Sequence, residues 1–207
     1  MRAPPLSPTR ARAPQTPFRR VVDDFFANPV ATFGFGLLCL IVFFAIFAPL
    51  ISPQNPYDLA QLDVMDSKLA PGEKSADGRT YWLGTDDQGR DMLSGIFYGL
   101  RISLGVGIAS TVFALAIGLV FGMVAAYFGG WVDTLIMRIV DIQLSFPAIL
   151  IALILLAVLG QGVDKIVIAL VTVQWAYYAR TVRSSALVER QKEYVEAARV
   201  LALGRAR

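Results

Sequence analysis

Hydrophobic and polar positions alternate along this chain in long blocks rather than in short periods. The first apolar block runs from Gly34 to Ile51 without a charge, which meets the length needed for a membrane-spanning helix. Arginines precede it, as in a secretory signal. The run is long for an h-region, however, and Ala45-Ile46-Phe47-Ala48-Pro49 makes a poor small-x-small cleavage site. An uncleaved membrane helix is therefore expected over 33–52. The second block, Ile102 to Phe128, is again uncharged and predicts a second span. A third extends from about Thr134 to Leu159, where Pro147 should impose a kink. The fourth, Ile166 to Ala179, is short and spans only if Val163 and Thr181 to Leu187 are included.

Between the first and second blocks the chain turns polar. Turn signals recur at Pro53, Pro56, Pro71-Gly72, Asp77-Gly78 and Gly89. The acids Asp58, Asp63, Asp66, Glu73, Asp77, Asp86, Asp87 and Asp91 outnumber the bases Lys68, Lys74, Arg79 and Arg90. Residues 53–98 thus read as a water-exposed loop ending in a short amphipathic helix near Asp91 to Tyr98. Thr85, Asp86 or Asp87 is expected to cap that helix. At the start, residues rich in Pro, Arg and Ala predict a disordered basic segment, taken to residue 32.

Charge then orients the spans. Arg2, Arg10, Arg12, Arg19 and Arg20 precede the first block, and Arg180, Arg183, Arg190, Lys192, Arg199, Arg205 and Arg207 follow the core of the last. The positive-inside rule places both ends in the cytoplasm, which requires an even number of crossings, so four are expected. Composition agrees: 56% of the residues are apolar, 17% are charged, and mean hydropathy is +0.57.

Candidate chemistry is sparse. The chain has no His, so the commonest general base and metal ligand is missing and no Ser/His or Cys/His constellation exists. Cys39, the single cysteine, lies in an apolar run and reads as a small hydrophobe. Gly84 to Asp91 lacks the acid spacing and closing Glu of a calcium loop. Gly160-Gln161-Gly162-Val163-Asp164-Lys165 lacks the G-x-x-x-x-G-K-[ST] pattern. No cofactor, metal or nucleic-acid partner is expected.

Three features point elsewhere. Gly118 and Gly122 give the small-x-x-x-small spacing by which membrane helices approach closely. Arg138, Asp141 and Ser145 form one helical stripe, read either as an Arg138–Asp141 pair near a helix end or as the lining of a translocation path, and Gln143 and Gln174 read either as pore-lining or as interhelical hydrogen bonds. From Leu187 to Leu203, apolar residues recur at helical spacing among charges, and Glu189, Glu193 and Glu196 favour a protein partner over anionic lipid.

Several strings occur in the same order in a known family. Trp82-Leu83-Gly84-Thr85-Asp86, Gly89-Arg90-Asp91, Tyr98-Gly99-x-Arg101-x-Ser103-Leu104, Gly129-Gly130-Trp131-Val132-Asp133 and Tyr194-Val195-Glu196-Ala197-Ala198 make residues 20–207 resemble the C-type permease subunits of ABC importers for dipeptides and oligopeptides. The resemblance implies an all-α polytopic membrane helix bundle of type I importer architecture, with about four of an expected six spans in this chain. Residues 99–207 would be the permease core. It implies a bacterial inner-membrane location, a second permease subunit, two ATP-binding subunits and an extracytoplasmic peptide-binding protein as partners, and no catalysis on this chain.

It further implies that the Glu-Ala-Ala segment is the coupling helix, docking on the ATPase through Glu193, Tyr194, Glu196, Ala197 and Ala198. The family's Gly six residues after the Glu is here Ala202, so Gly204 is expected to take over the turn. Members of the family continue through two further helices, so the sequence reads as a C-terminally truncated permease. Asp141, Ser145 and Gln174 are the expected path residues. A membrane scaffold whose last helix docks a soluble partner, and an ion channel, are the competing readings.

Overall fold

A computed structural model describes residues 16–75 and 78–201. The fold is all-α: α1 Pro17–Ala27, α2 Pro29–Ile51, α3 Met92–Phe128, α4 Gly130–Leu144, α5 Ala148–Leu159, α6 Val163–Arg190 and α7 Glu193–Val200. Two compact units meet within α3, at residues 1–101 and 102–207, and each is described by itself.

In the first unit the basic segment is not disordered as far as residue 32. Residues 17–27 form α1, because Phe18, Val21, Val22, Phe25 and Phe26 lie three and four apart on one face. α2 starts four residues before the expected span, where Asn28 accepts from the N–H groups of Val30 (3.0 Å) and Ala31 (3.4 Å) and Pro29 occupies the first helical position. Its 23 residues reach about 35 Å, enough to cross a bilayer.

Among the described residues the loop after α2 is held by side-chain and backbone bonds rather than by strands; its regular pieces there are two 3-10 turns, Leu59–Gln61 and Val64–Asp66, and two isolated bridges. Buried Tyr81 donates its hydroxyl to Asp66 (2.9 Å), while Thr85 donates to the Asp66 carbonyl and accepts from the Leu69 N–H (2.9 Å). Gly84 and Gly89 are required here. Both have positive φ (76° and 75°), and a Cβ would stand 2.4 Å from the Leu69 carbonyl and 2.1 Å from that of Asp63.

The expected short helix near 91–98 is instead the start of the long α3, and Thr85, Asp86 and Asp87 do not cap it. Asp91 does, accepting from the Ser94 N–H (2.9 Å) and hydroxyl (2.5 Å). Gln54, just past α2, accepts from the Asp91 N–H at 2.7 Å, so the end of one span is bonded to the start of the next. Phe44 and Phe97 stack above this junction with centroids 4.9 Å apart.

The second unit packs the remainder of α3 with α4, α5, α6 and α7. Its buried residues are small: Ala114, Ala125 and Ala126 on α3, Ala169, Val173, Ala176 and Ala179 on α6, against Ile136 and Val140 of α4. Small side chains let helix backbones approach, as membrane bundles require. By length and composition, α2 and α3 can each cross a membrane, and α4 with α5 make a third if that bent pair is one span. The single kinked helix expected over 134–159 is broken, with an 85° bend between α4 and α5. Pro147 has no N–H to continue the ladder and its own ψ of 125° leaves the helical region.

Candidate functional site

Within the second unit α3 and α6 run in the same direction. A Cβ on Gly118 would lie 2.4 Å from Tyr178 Cβ and 2.8 Å from the Trp175 carbonyl; one on Gly122 would lie 2.6 Å from the Ala179 carbonyl and 2.8 Å from Val182 Cβ. One turn on, the Arg190 guanidinium donates to the Ala126 carbonyl. Each step along α3 thus matches a step in the same sense along α6. The packing role read for Gly118 and Gly122 holds.

Helix α4 runs against α6. Arg183 clasps Asp133 with two nitrogens, Arg180 donates to Asp141, and the Gln143 amide donates to the carbonyls of Thr172 and Val173 (3.3 Å to the latter). As the α4 number rises the α6 number falls. Asp141 therefore pairs with Arg180, not with Arg138 as the stripe suggested, because α6 brings a guanidinium to it from the facing helix. Ser145 donates to the Asp141 carbonyl at 2.7 Å, a bond one turn back along its own helix. Gln174 is half-buried on α6, next to the two carbonyls that Gln143 occupies. Gln143 itself is an interhelical tie. The spacing of 50 residues between Asp133 and Arg183 explains why the sequence could not pair them; their opposite charges near presumptive helix ends were the one available signal.

The amphipathic stretch expected as one helix from Leu187 to Leu203 is divided. α6 continues to Arg190, and α7 begins after Gln191 and Lys192. The joint is tied by side chains: the Lys192 ammonium meets Glu189 at 2.7 Å and the Tyr194 hydroxyl donates to the same carboxylate. These two bonds, Lys192's first, hold the Glu189 carboxyl below its usual range, while the bond to Glu189 pushes the Tyr194 hydroxyl up. The Val195 and Glu196 N–H groups cap back onto the Lys192 carbonyl at 2.9 and 3.2 Å.

Of the residues expected to dock, Glu193, Tyr194, Glu196 and Ala197 are exposed; Ala198 is half-buried with Val195, three residues apart on the inner face. Gly204 lies outside the described residues. Val195 closes a cleft of 270 Å³ whose other walls are Met123, Ala126 and Tyr127 of α3 and Ala186, Glu189 and Arg190 of α6. A short helix thus presents two acids, an aromatic ring and a small residue outward, while its inner face is keyed to the ends of two long helices.

Residues 118–207 match the family described as the binding-protein-dependent transport system inner membrane component, and residues 16–71 match the N-terminal TM domain of oligopeptide transport permease C. This chain belongs to that permease family, on the oligopeptide permease C branch. The permease is 35% identical to the dipeptide transport system permease protein DppC of Alkalihalophilus pseudofirmus, over 89% of this chain and 58% of that protein. It is also 35% identical to the glutathione transport system permease protein GsiD of Pectobacterium atrosepticum (92% and 60%) and to the oligopeptide transport system permease protein OppC of Bacillus subtilis (86% and 55%). The permease sequence therefore spans somewhat under two thirds of the length of these relatives. Both matched regions include described helices of the all-α bundle, and the family places the protein in the inner membrane as a multi-pass chain.

Proposed function

We propose that this chain is permease machinery of an ATP-driven importer of dipeptides or oligopeptides, with α7 as the element through which a separate ATPase moves the membrane helices. The observation that carries this reading is the seat of α7: Val195 closes the cleft between the ends of α3 and α6, and Arg190 fastens α6 to α3. The Glu193/Tyr194/Glu196/Ala197 surface faces outward from that seat, with the Glu189, Lys192 and Tyr194 bonds as a weaker tie at the joint. A push on α7 then reaches two long helices at once. ATP binding favours one access state only through contacts that differ between states, so such a rigid link is needed.

The helix directions support four crossings. That α3 and α6 run the same way supports α4 and α5 together carrying the chain back between them, as one crossing rather than a re-entrant loop. α6 then crosses beside α3 although its own charges leave it without a long apolar window. With α2, that is an even number, and both arginine-rich ends fall on the cytoplasmic side. The acidic loop at 53–98 faces outward, where a peptide-binding protein would deliver substrate. A second permease subunit and two ATP-binding subunits complete the assembly, and ATP hydrolysis takes place on the latter. Asp141, Ser145 and Gln174 are proposed to border the path.

The relatives named for dipeptide, oligopeptide and glutathione transport point to peptides as the cargo class. Uptake of a labelled dipeptide by cells carrying the complete transporter tests the reading. Glu196→Arg should abolish uptake while the protein still inserts and the ATPase still turns over. Unchanged uptake by that variant would end the docking role of α7, and labelling near Arg190 by an impermeant reagent from outside intact cells would end the topology.

A further inference from the structure

We infer that α1 is an interfacial helix, lying along the bilayer surface where α2 enters, with its apolar face in the acyl–headgroup boundary and its arginines at anionic lipid headgroups. The inference rests on α2 crossing a membrane and does not depend on the transport reading.

Phe18, Val21, Val22, Phe25 and Phe26 occupy positions three and four apart along α1, with Arg19, Arg20, Asp23 and Asp24 between them. This is a full apolar stripe on a helix of eleven residues. The first unit covers it only in part, chiefly in its last turn, where Phe25 and Phe26 meet Phe35 of α2 with centroids 5.8 and 6.5 Å apart. Before that turn Val22 is half-buried, while Phe18 is 79% exposed and Val21 67%. Large apolar side chains arranged in one line and left open mark a surface that something covers.

Position decides what covers it. A single residue, Asn28, separates α1 from α2, and its side chain is committed to capping α2. The Thr32 hydroxyl, one turn into α2, lies 3.4 Å from the Phe26 carbonyl. α1 therefore cannot leave the level at which the apolar span begins, and the apolar phase available at that level is the bilayer. Charge then selects among lipids. Residues 1–22 carry five arginines (Arg2, Arg10, Arg12, Arg19, Arg20) and no acid. Asp23 and Asp24 match in number only the two on the helix, so the sequence through residue 24 stays net basic. A basic segment beside an apolar helix face is the pairing by which amphipathic helices seek anionic membranes.

The test uses the full chain with Cys39→Ala, one copy per lipid nanodisc, spin-labelled at Val21→Cys or at Asp24→Cys. Accessibility to oxygen and to a water-soluble nickel chelate is compared in phosphatidylcholine alone and with added phosphatidylglycerol. The expected result is an oxygen-to-nickel ratio several-fold higher at position 21 than at 24, rising further with phosphatidylglycerol. Removing both arginines of the helix (Arg19→Gln, Arg20→Gln) should weaken that rise. Equal nickel accessibility at both positions would overturn the inference, since α1 would then lie in water. Shielding of position 21 from both reagents would overturn it in favour of a protein contact. A ratio indifferent to phosphatidylglycerol would overturn the headgroup assignment.

Discussion

Asp133, in the first turn of α4, is clasped by two nitrogens of Arg183, which stands 50 residues later on α6. The fork geometry of guanidinium matches a carboxylate in a way that an ammonium cannot. Both side chains are more than two-thirds covered, at 29% and 20% exposure, so screening by water is incomplete. Arg183→Ala should destabilise the second unit by about 1–3 kcal/mol, and Arg183→Lys should recover only part of it. A double-mutant cycle with Asp133→Ala, read by thermal unfolding in detergent, checks this. Additive single effects would show that the two residues act independently.

Gly118 and Gly122 set how closely α3 and α6 lie. Gly118→Ala places a methyl where Tyr178 Cβ and the backbone of residues 175 and 179 already stand, and Gly122→Ala does the same at residues 179 and 182. Backbone cannot step aside as a side-chain tip can, so each change should lower stability by about 1–3 kcal/mol. Gly105 and Gly107 lie on the same helix with nothing within 4 Å of a would-be Cβ. Alanine there should be neutral or mildly stabilising, through helix propensity. Melting temperatures of the four variants decide whether close approach, or merely glycine content, matters.

The sequence made some of this arrangement visible and hid the rest for definite reasons. The two spans at α2 and α3 were legible because unbroken apolar length is a local property. The close face at Gly118 and Gly122 was legible as spacing. The break at Pro147 was placed correctly but its size was not, since an 85° turn depends on what α4 and α5 pack against. α1 was hidden because prolines and arginines dominate the composition up to Arg20, while its apolar stripe starts only at Phe18. The cap at Asp91 was hidden among three neighbours: Thr85 and Asp86 serve the loop's own turns through bonds to Leu69, Gln88 and Arg90, and Asp87 pairs with Lys68. Arg180 as the partner of Asp141, and the division of the last helix at Gln191, both depend on tertiary contacts that no local pattern carries.

Tyr81 gives the loop a pH limit on the alkaline side. Burial first, and then its bond to Asp66, push the Tyr81 hydroxyl from 10.0 up to about 12. Because the folded state favours the neutral phenol, its stabilisation is complete below pH 10 and is lost as pH rises from there to about 12. Asp86 acts at the other end. Burial opposes its ionisation, but the Arg90 and Gln88 N–H groups and the Arg90 guanidinium hold its carboxyl below 3.8. Its contribution is present above that value and fades as pH falls through the lowered one. Phenolate absorbance should show a late component near pH 12 that Tyr81→Phe removes, at a cost of about 1 kcal/mol in stability. A uniform titration of all tyrosines near pH 10 would show that Tyr81 is not held as described.

At the α6–α7 joint, strong and weak fastenings can be told apart by amide exchange. The Val195 and Glu196 N–H groups bond to the Lys192 carbonyl, so their exchange reports whether α7 stays folded against the end of α6. Glu189 meets Lys192 and Tyr194 in open water, where such pairs contribute little and salt weakens them. Glu189→Gln should therefore raise exchange at these amides only modestly, and added salt should produce the same change in the parent protein. Arg190 differs, because its guanidinium donates to a backbone carbonyl at Ala126, a fully covered residue on the wall of the cleft that Val195 closes. Hydrogen bonds from charged donors are worth about 1.5–3 kcal/mol, so Arg190→Ala should raise exchange roughly tenfold or more and be insensitive to salt. If Glu189→Gln proved the more disruptive of the two, the hold on α7 would lie in the surface pairs and not in the link from α6 to α3.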